Sequence, residues 1–329
     1  MSSYAKVREI AVDEIPVIDV SALLNETPEG LAAVGAEIRR ASEEIGFFYV
    51  RNHGVDEALI QAADRAARAF FAHPMERKLT VKANARHRGF LSVGEAKMYG
   101  KAKVDLKESF VWGLELPESD PDVMAGKMLM GPNQWPDFEP SVQRDLYAYY
   151  EAVVACGLRL MRGVAAGLGV DPAFFAERFK KPLARGSVVY YPPQPPEMGS
   201  KQFGVAPHTD YGCLTLVWQD EVGGLQVRGK SGDWVTAHPI PGTFVVNVGD
   251  LLARWSNDRF ASTPHRVINS SGRERHSMAL FFDADYDAVI DPRDLFGAEV
   301  GETQYKPVTC GEYVKGKFDA AFAYRQKQA

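Results

Sequence analysis

The sequence predicts an α+β fold, with a jelly-roll core (a double-stranded β-helix) flanked by helices and preceded by a largely helical N-terminal region. Two observations carry this. From about Leu31 to Phe179, apolar residues recur at three- and four-residue steps, as packed amphipathic helices require. From about Gly186 onward, short apolar and β-branched runs alternate with turn signals, the texture of an antiparallel sandwich or barrel. A jelly roll protects most of its strand edges and leaves a mouth for a ligand.

In the first zone, Gly30–Gly46 places Leu31, Val34, Ile38, Ala41 and Ile45 on one helical face. Gly46–Val50 then reads as a short buried strand that ends at the Asn52-His53-Gly54 turn. Asp56–Phe71 repeats the helical pattern. Ser141–Gly169 is the longest helix, with Leu146, Tyr149, Tyr150, Val153, Gly157, Leu158, Met161 and Val164 on a broad apolar face. Ser141 suits its start and Gly169 its end.

The second zone offers strands at Ser187–Tyr191, Cys213–Gln219, Leu225–Arg228, Trp234–Ala237, Thr243–Val248, His265–Ile268 and Ser277–Asp283. Turn signals at Pro192-Pro193, Gly223-Gly224, Ser231-Gly232 and Pro241-Gly242 separate them. The tail from Val314 to Ala329 reads as a helix. The chain thus divides into an N-terminal region (13–125), a core (183–288) and a C-terminal extension (289–329).

Composition bounds the function. Of the 329 residues 46% are hydrophobic and 25% charged, a balance that supports a substantial core. A net charge of −5 gives no basic footprint for nucleic acid. Arg86-His87-Arg88 and Lys101-Ala102-Lys103 are too short for one and read as solvated loop charge or substrate contacts. The N-terminus lacks the apolar core of a signal peptide, and no stretch is long enough for a membrane span, so a cytoplasmic protein without a membrane partner is expected. Cys156, Cys213 and Cys310 are widely spaced and odd in number, which suits buried thiols in a reducing compartment.

His208-Thr209-Asp210 is the first chemical signal. On an extended segment, residues two apart share a face. His265 follows His208 by 57 residues, enough chain to leave a jelly roll and return on a neighbouring strand. Two imidazoles and one carboxylate are the donor set of a non-haem iron(II) centre, with positions left open for dioxygen and a chelating co-substrate. Alone, a His-x-Asp pair arises often by chance. The same donors also serve catalytic zinc, although His-Glu-x-x-His is absent.

Arg275 and Ser277 share a face if their segment is a strand. A guanidinium grips a carboxylate through parallel hydrogen bonds, and a hydroxyl adds another. Tyr191, ending Val188-Val189-Tyr190-Tyr191, offers a further donor from an adjoining strand. The ordinary alternative for Arg275 is a surface salt bridge. His53, in its Asn-His-Gly turn, reads as structural. His73, His87, His238 and His276 have no partner at ligand spacing, and Gly223, Gly224 and Gly249 read as turn glycines.

Taken together, His208-Thr209-Asp210, His265, Arg275-x-Ser277 and Tyr190-Tyr191-Pro192-Pro193 resemble the isopenicillin N synthase-like family of 2-oxoglutarate and iron(II)-dependent dioxygenases. Ile15–Asp19, Gly46–Gly54, Gly223–Val227, Asn247–Asp250 and Ser262–Val267 extend the likeness over nearly the whole chain. The resemblance implies iron(II) held by His208, Asp210 and His265. It implies 2-oxoglutarate anchored through its far carboxylate by Arg275 and Ser277, with Tyr191 at the same end. One departure is Val189, where many plant members carry an Asn that contacts the co-substrate.

The implied reaction uses dioxygen and 2-oxoglutarate to oxidise a small organic substrate, releasing succinate and carbon dioxide. By the same resemblance Phe90, Met98, Phe110, Tyr211 and Phe282 are candidates for the substrate wall, and Glu108 is a recurrent residue with a structural role. Two alternatives stay open: an oxidase of the same family that uses no keto acid, and a non-catalytic small-molecule binding protein on the same core. Hydroxylation, desaturation, ring closure and ethylene formation all occur on this scaffold.

Overall fold

A computed structural model describes residues 15–25, 27–95, 105–194 and 203–321. The N-terminal part runs β1 (Val17–Asp19), α1 (Ala22–Asn25), α2 (Pro28–Glu44), β2 (Phe47–Arg51), α3 (Glu57–Ala72), α4 (Met75–Leu79), β3 (Gly89–Leu91), β4 (Glu108–Gly113), α5 (Pro121–Met124) and α6 (Pro140–Leu168). The middle part runs β5 (Arg185–Tyr191), β6 (Val205–His208), β7 (Leu214–Gln219), β8 (Leu225–Arg228), β9 (Trp234–Thr236), β10 (Thr243–Val248), α7 (Asp250–Trp255), β11 (His265–Val267) and β12 (Arg275–Phe282). The chain ends with β13 (Val289–Ile290), α8 (Pro292–Phe296), β14 (Val308–Thr309) and α9 (Cys310–Ala321).

Among the described residues, the larger sheet has the order β1-β2-β10-β7-β12-β5-β4-β3 and faces a smaller sheet of order β6-β11-β8-β9. This is the predicted jelly-roll core. The N-terminal region is helical as expected, but it also lends β1 to β4 to both edges of the larger sheet. Of these only β2 was legible, because β1, β3 and β4 are short runs that periodicity does not separate from helix.

Local chemistry sets the element ends. In α2, Pro28 occupies the first turn and the Thr27 side chain accepts from the Gly30 amide, so the helix begins two residues before the predicted start. Gly46, at φ +69°, turns the chain into β2, and a Cβ there would lie 2.0 Å from the Ala261 carbonyl oxygen. Gly169 ends α6 in the left-handed conformation, as predicted. Ser141 is not the cap of α6. It lies in the first turn, behind Pro140, and its hydroxyl donates to Glu139 at 2.6 Å. Leu158, placed by the sequence on the apolar face, is 37% exposed, and the neighbouring turn buries Leu160 and Met161 instead.

The helices α2, α3 and α6 pack against each other and cover the outer face of the larger sheet. A small residue on α6 makes this close: a Cβ on Gly157 would come within 3.0 Å of the Phe282 ring. The tail helix forms, but it begins at Cys310 and not at Val314; residues 322–329 lie outside the described set. All three cysteines are buried and free. No helix among the described residues is long and apolar enough to cross a membrane.

Candidate metal centre and active site

β6 and β11 pair antiparallel with His208 opposite His265, which brings the two imidazole rings to 4.3 Å between centroids. Asp210 follows on the turn after β6. Its backbone carbonyl accepts from the Asp250 amide at 2.7 Å, and this ties the turn to the start of α7. The turn is wrapped tightly: a Cβ on Gly212 would sit 1.4 Å from Asp283 Oδ1, and one on Gly249 would sit 2.3 Å from the Gly212 carbonyl oxygen. Gly249 is therefore a close-approach glycine with an ordinary φ of −100°, and the turn role expected of it belongs only to Gly223 and Gly224, both at positive φ.

The three side chains converge. His208 Nε2 lies 3.6 Å from Asp210 Oδ1, and His265 Nε2 lies 3.7 Å from Asp210 Oδ2. One ligand atom from each lies within 4.8 Å of the others. Each imidazole turns Nδ1 to a backbone carbonyl, His208 to Ala206 at 2.8 Å and His265 to Thr263 at 3.2 Å. A carbonyl only accepts, so Nδ1 carries the proton and the neutral ring presents its Nε2 lone pair inward. Asp210 Oδ2 accepts from Thr215 Oγ1 at 2.6 Å and from Asn247 Nδ2 at 2.9 Å. This leaves Oδ1 without a printed donor and turned toward His208.

Burial, reinforced by His265, holds the His208 imidazole well below its ordinary basicity. Burial pushes the Asp210 carboxyl the other way, but the two imidazoles and the Thr215 and Asn247 hydrogen bonds outweigh it and keep the carboxylate ionised. Two lone pairs and a carboxylate thus face one another inside the protein with no proton between them. That arrangement is unfavourable unless a cation occupies the centre, so the residues fit a divalent metal ion.

The same cavity extends to Arg275, Ser277 and Tyr191. Arg275 is 1% exposed and pairs in register with Tyr191, whose ring lies 4.6 Å from the guanidinium carbon. Its Nη1 donates to Ser277 Oγ at 3.3 Å, its Nη2 to Gln219 Oε1 at 3.3 Å, and its Nε to the Gly223 carbonyl. The surface salt bridge considered for it is absent. Val189 sits opposite Ser277, so the wall is apolar at the position where an Asn would have added a donor.

Of the proposed wall residues, Tyr211 lines this cavity. Phe90, Phe110 and Phe282 do not: Phe90 and Phe110 pack against Phe70 of α3, and Phe282 packs against α6. Each is one residue out of phase, and its strand neighbours Leu91, Ser109, Val111 and Phe281 face the cavity instead. Met98 lies outside the described residues. Glu108 accepts from buried Lys78 at 2.6 Å, a structural pair. His53 accepts from the Val55 amide, and His276 packs on Phe71 and Tyr190, away from the metal site.

His87 was missed. It takes a left-handed φ of +57°, lines the cavity and meets Phe318 of α9 edge-on at 4.8 Å. Its neighbour Arg88 is buried and donates to the Leu129 carbonyl, so this triplet is not solvated loop charge. Asp105, Lys107, Arg185 and Phe318 also line the cavity without having been singled out. Strand parity from Tyr191 reaches Arg185, but the predicted strand stopped at Ser187. No local signal brings Phe318 from the tail helix.

Two family models match the chain: the N-terminal domain of the non-haem dioxygenase in morphine synthesis over residues 15–138, and the 2OG-Fe(II) oxygenase superfamily over 186–284. A probable iron/ascorbate oxidoreductase of Dictyostelium discoideum is 34% identical over 322 residues, covering 90% of this chain and 87% of the relative. The chain belongs to the 2OG-Fe(II) oxygenase superfamily. Among other members, a homoarginine-6-hydroxylase of Glycine max is 34% identical over 319 residues, covering 92% of this chain and 96% of that one. A Neurospora crassa oxygenase crystallised with alpha-KG and thymine superposes with a TM-score of 0.82 at 28% identity, over 95% of this chain and 99% of that one. A rice dioxygenase for auxin oxidation superposes with a TM-score of 0.73 at 29% identity, over 93% and 95%. The isopenicillin N synthase-like resemblance is thus borne out at the level of the superfamily and its fold.

Proposed function

We propose that this chain is a non-haem iron(II)- and 2-oxoglutarate-dependent dioxygenase that oxidises a small organic substrate and releases succinate and carbon dioxide. The observation that carries the reading is the inward convergence of His208 Nε2, His265 Nε2 and the Asp210 carboxylate, with the outer atoms of each already engaged. Bound among them, iron(II) supplies dioxygen activation coupled to decarboxylation of the keto acid.

The protein's own residues bind, orient and exclude water. In this reading Arg275 and Ser277 take the far carboxylate of 2-oxoglutarate, and Tyr191 shields the guanidinium face at the same end. Val189, Val205, Val217, Leu225 and Val267 form an apolar sleeve between Arg275 and the metal site, which keeps competing water from the co-substrate. The region of 13–125, the core of 183–288 and the extension of 289–329 divide this work: the core carries all the proposed ligands, and the other two wall the mouth.

Asn247 has a separate, measurable task. Its amide fixes Asp210 Oδ2, so Asn247→Ala should weaken metal affinity by about 10- to 100-fold, read by competition against a chelator. Unchanged affinity would remove Asn247 from the site. The reaction class is tested by aerobic incubation with iron(II), 2-oxoglutarate and a panel of small acids, amines and heterocycles. Succinate and carbon dioxide formed one for one with oxidised product support the proposal. Oxidation of a substrate without 2-oxoglutarate consumption would make the chain a keto-acid-independent oxidase.

A further inference from the structure

We propose that Arg185 is the anchor for a carboxylate on the primary substrate, so that the cavity has one buried guanidinium for each of two acids. The inference rests on the dioxygenase reading of the same cavity.

β5 alternates, and Arg185, Ser187, Val189 and Tyr191 all face the cavity. Tyr191 marks the Arg275 end. Arg185 lies six residues away, about 20 Å along the strand. Across the larger sheet Arg185 pairs with Phe281, and Phe281 pairs with Thr215, the residue whose hydroxyl holds Asp210. Arg185 thus stands two strands, about 10 Å, from Thr215 on the metal side of the cavity. A ligand spanning Arg275 and the metal leaves it free for a second molecule.

The setting of Arg185 is built and incompletely used. The residue is 4% exposed. Its Nη2 donates to Asp283 Oδ2 at 2.9 Å, and Asp283, fully enclosed, is fixed in turn by the Cys213 amide at 3.0 Å. The guanidinium carbon lies 5.1 Å from the Phe281 ring centre and 4.8 Å from that of Phe318. Yet Nε is buried and has no hydrogen-bond partner. A guanidinium kept only as a structural ion pair would engage its carboxylate through two parallel bonds; here one nitrogen bonds and a buried donor is left over. Lys107, the other cation at this end, lies 3.9 Å from its own carboxylate, Asp105. A carboxylate entering past Phe318 supplies the missing acceptor and the charge match. Leu91, Val111, Phe281 and Phe318 suit the apolar body behind it.

The test uses calorimetric titration of the anaerobic enzyme loaded with iron(II) and 2-oxoglutarate. The probes are phenylacetate, 3-phenylpropionate, hexanoate and octanoate, each paired with its primary amide. At least one acid is expected to bind about tenfold or more tightly than its amide, as a charge-assisted pair requires. Arg185→Gln should abolish that preference and leave the amide's affinity and the binding of 2-oxoglutarate in place. The double variant Arg185→Gln/Asp283→Asn removes the carboxylate that the single change strands, so a folded protein remains available, and it should behave alike. If no acid outbinds its amide, or if the preference survives in both variants, the proposal is overturned. Iron is assayed in the same samples. Iron bound without acid preference refutes Arg185 alone, whereas failure to bind iron refutes the metal reading and this proposal together.

Discussion

Asp210→Ala is expected to abolish turnover, by at least about a thousandfold, while the fold survives. Asp210 is the only anion in the converging set, and its two imidazole partners present neutral lone pairs. Losing a mere outer partner of a metal ligand costs about 10- to 100-fold in affinity or activity, so loss of the charged ligand itself must exceed that. The structural damage is bounded. Alanine leaves the Thr215 hydroxyl and the Asn247 amide without an acceptor, a cost of about 1–3 kcal/mol if water does not replace it. Metal should also cease to stabilise the variant. A ligand at a hundred times its dissociation constant raises stability by about 2.7 kcal/mol, an increment expected in the parent protein and absent in Asp210→Ala. Turnover assays, metal content and thermal unfolding with and without iron(II) check all three parts. Retained activity would contradict the metal assignment.

Arg275→Met should raise the 2-oxoglutarate concentration needed for half-maximal turnover by about a hundredfold. Two charge-assisted hydrogen bonds at about 1.5 kcal/mol each account for that figure. Methionine keeps the apolar packing against Tyr191 but supplies no donor. Because Arg275 lies at the end of β12 away from Thr215, the requirement for the primary substrate should change far less. Steady-state kinetics with each substrate varied in turn separates the two. An unchanged keto-acid dependence would show that Arg275 binds something else.

The parts of the site that the sequence made legible are those with a period. His208 and Asp210 are two residues apart and share a face even though the second lies on the turn beyond β6. Arg275 and Ser277 share a face on β12, and pairing with β5 brings Tyr191 to them. The same period explains the failures. Phe282 was chosen where Phe281 faces the cavity, because both are aromatic and a strand's phase is fixed by its partners, not by its own composition. Phe110 fails against Ser109 and Val111 for the same reason. β6, only four residues long and ending on a ligand, carries too little apolar signal to be read as a strand alone. Arg185 and Phe318 meet through the packing of α9 over the barrel mouth, a contact between residues 133 positions apart for which no local pattern exists. The left-handed backbone at His87 is equally invisible, since histidine is not a residue that advertises it.

The most direct test of the account is diffraction from anaerobic crystals soaked in iron(II), recorded on both sides of the iron absorption edge. The account predicts one anomalous peak, bonded at about 2.0–2.3 Å to His208 Nε2, His265 Nε2 and an Asp210 carboxylate oxygen, with the remaining positions open toward the cavity. A peak at other side chains, or none at this trio, would contradict it.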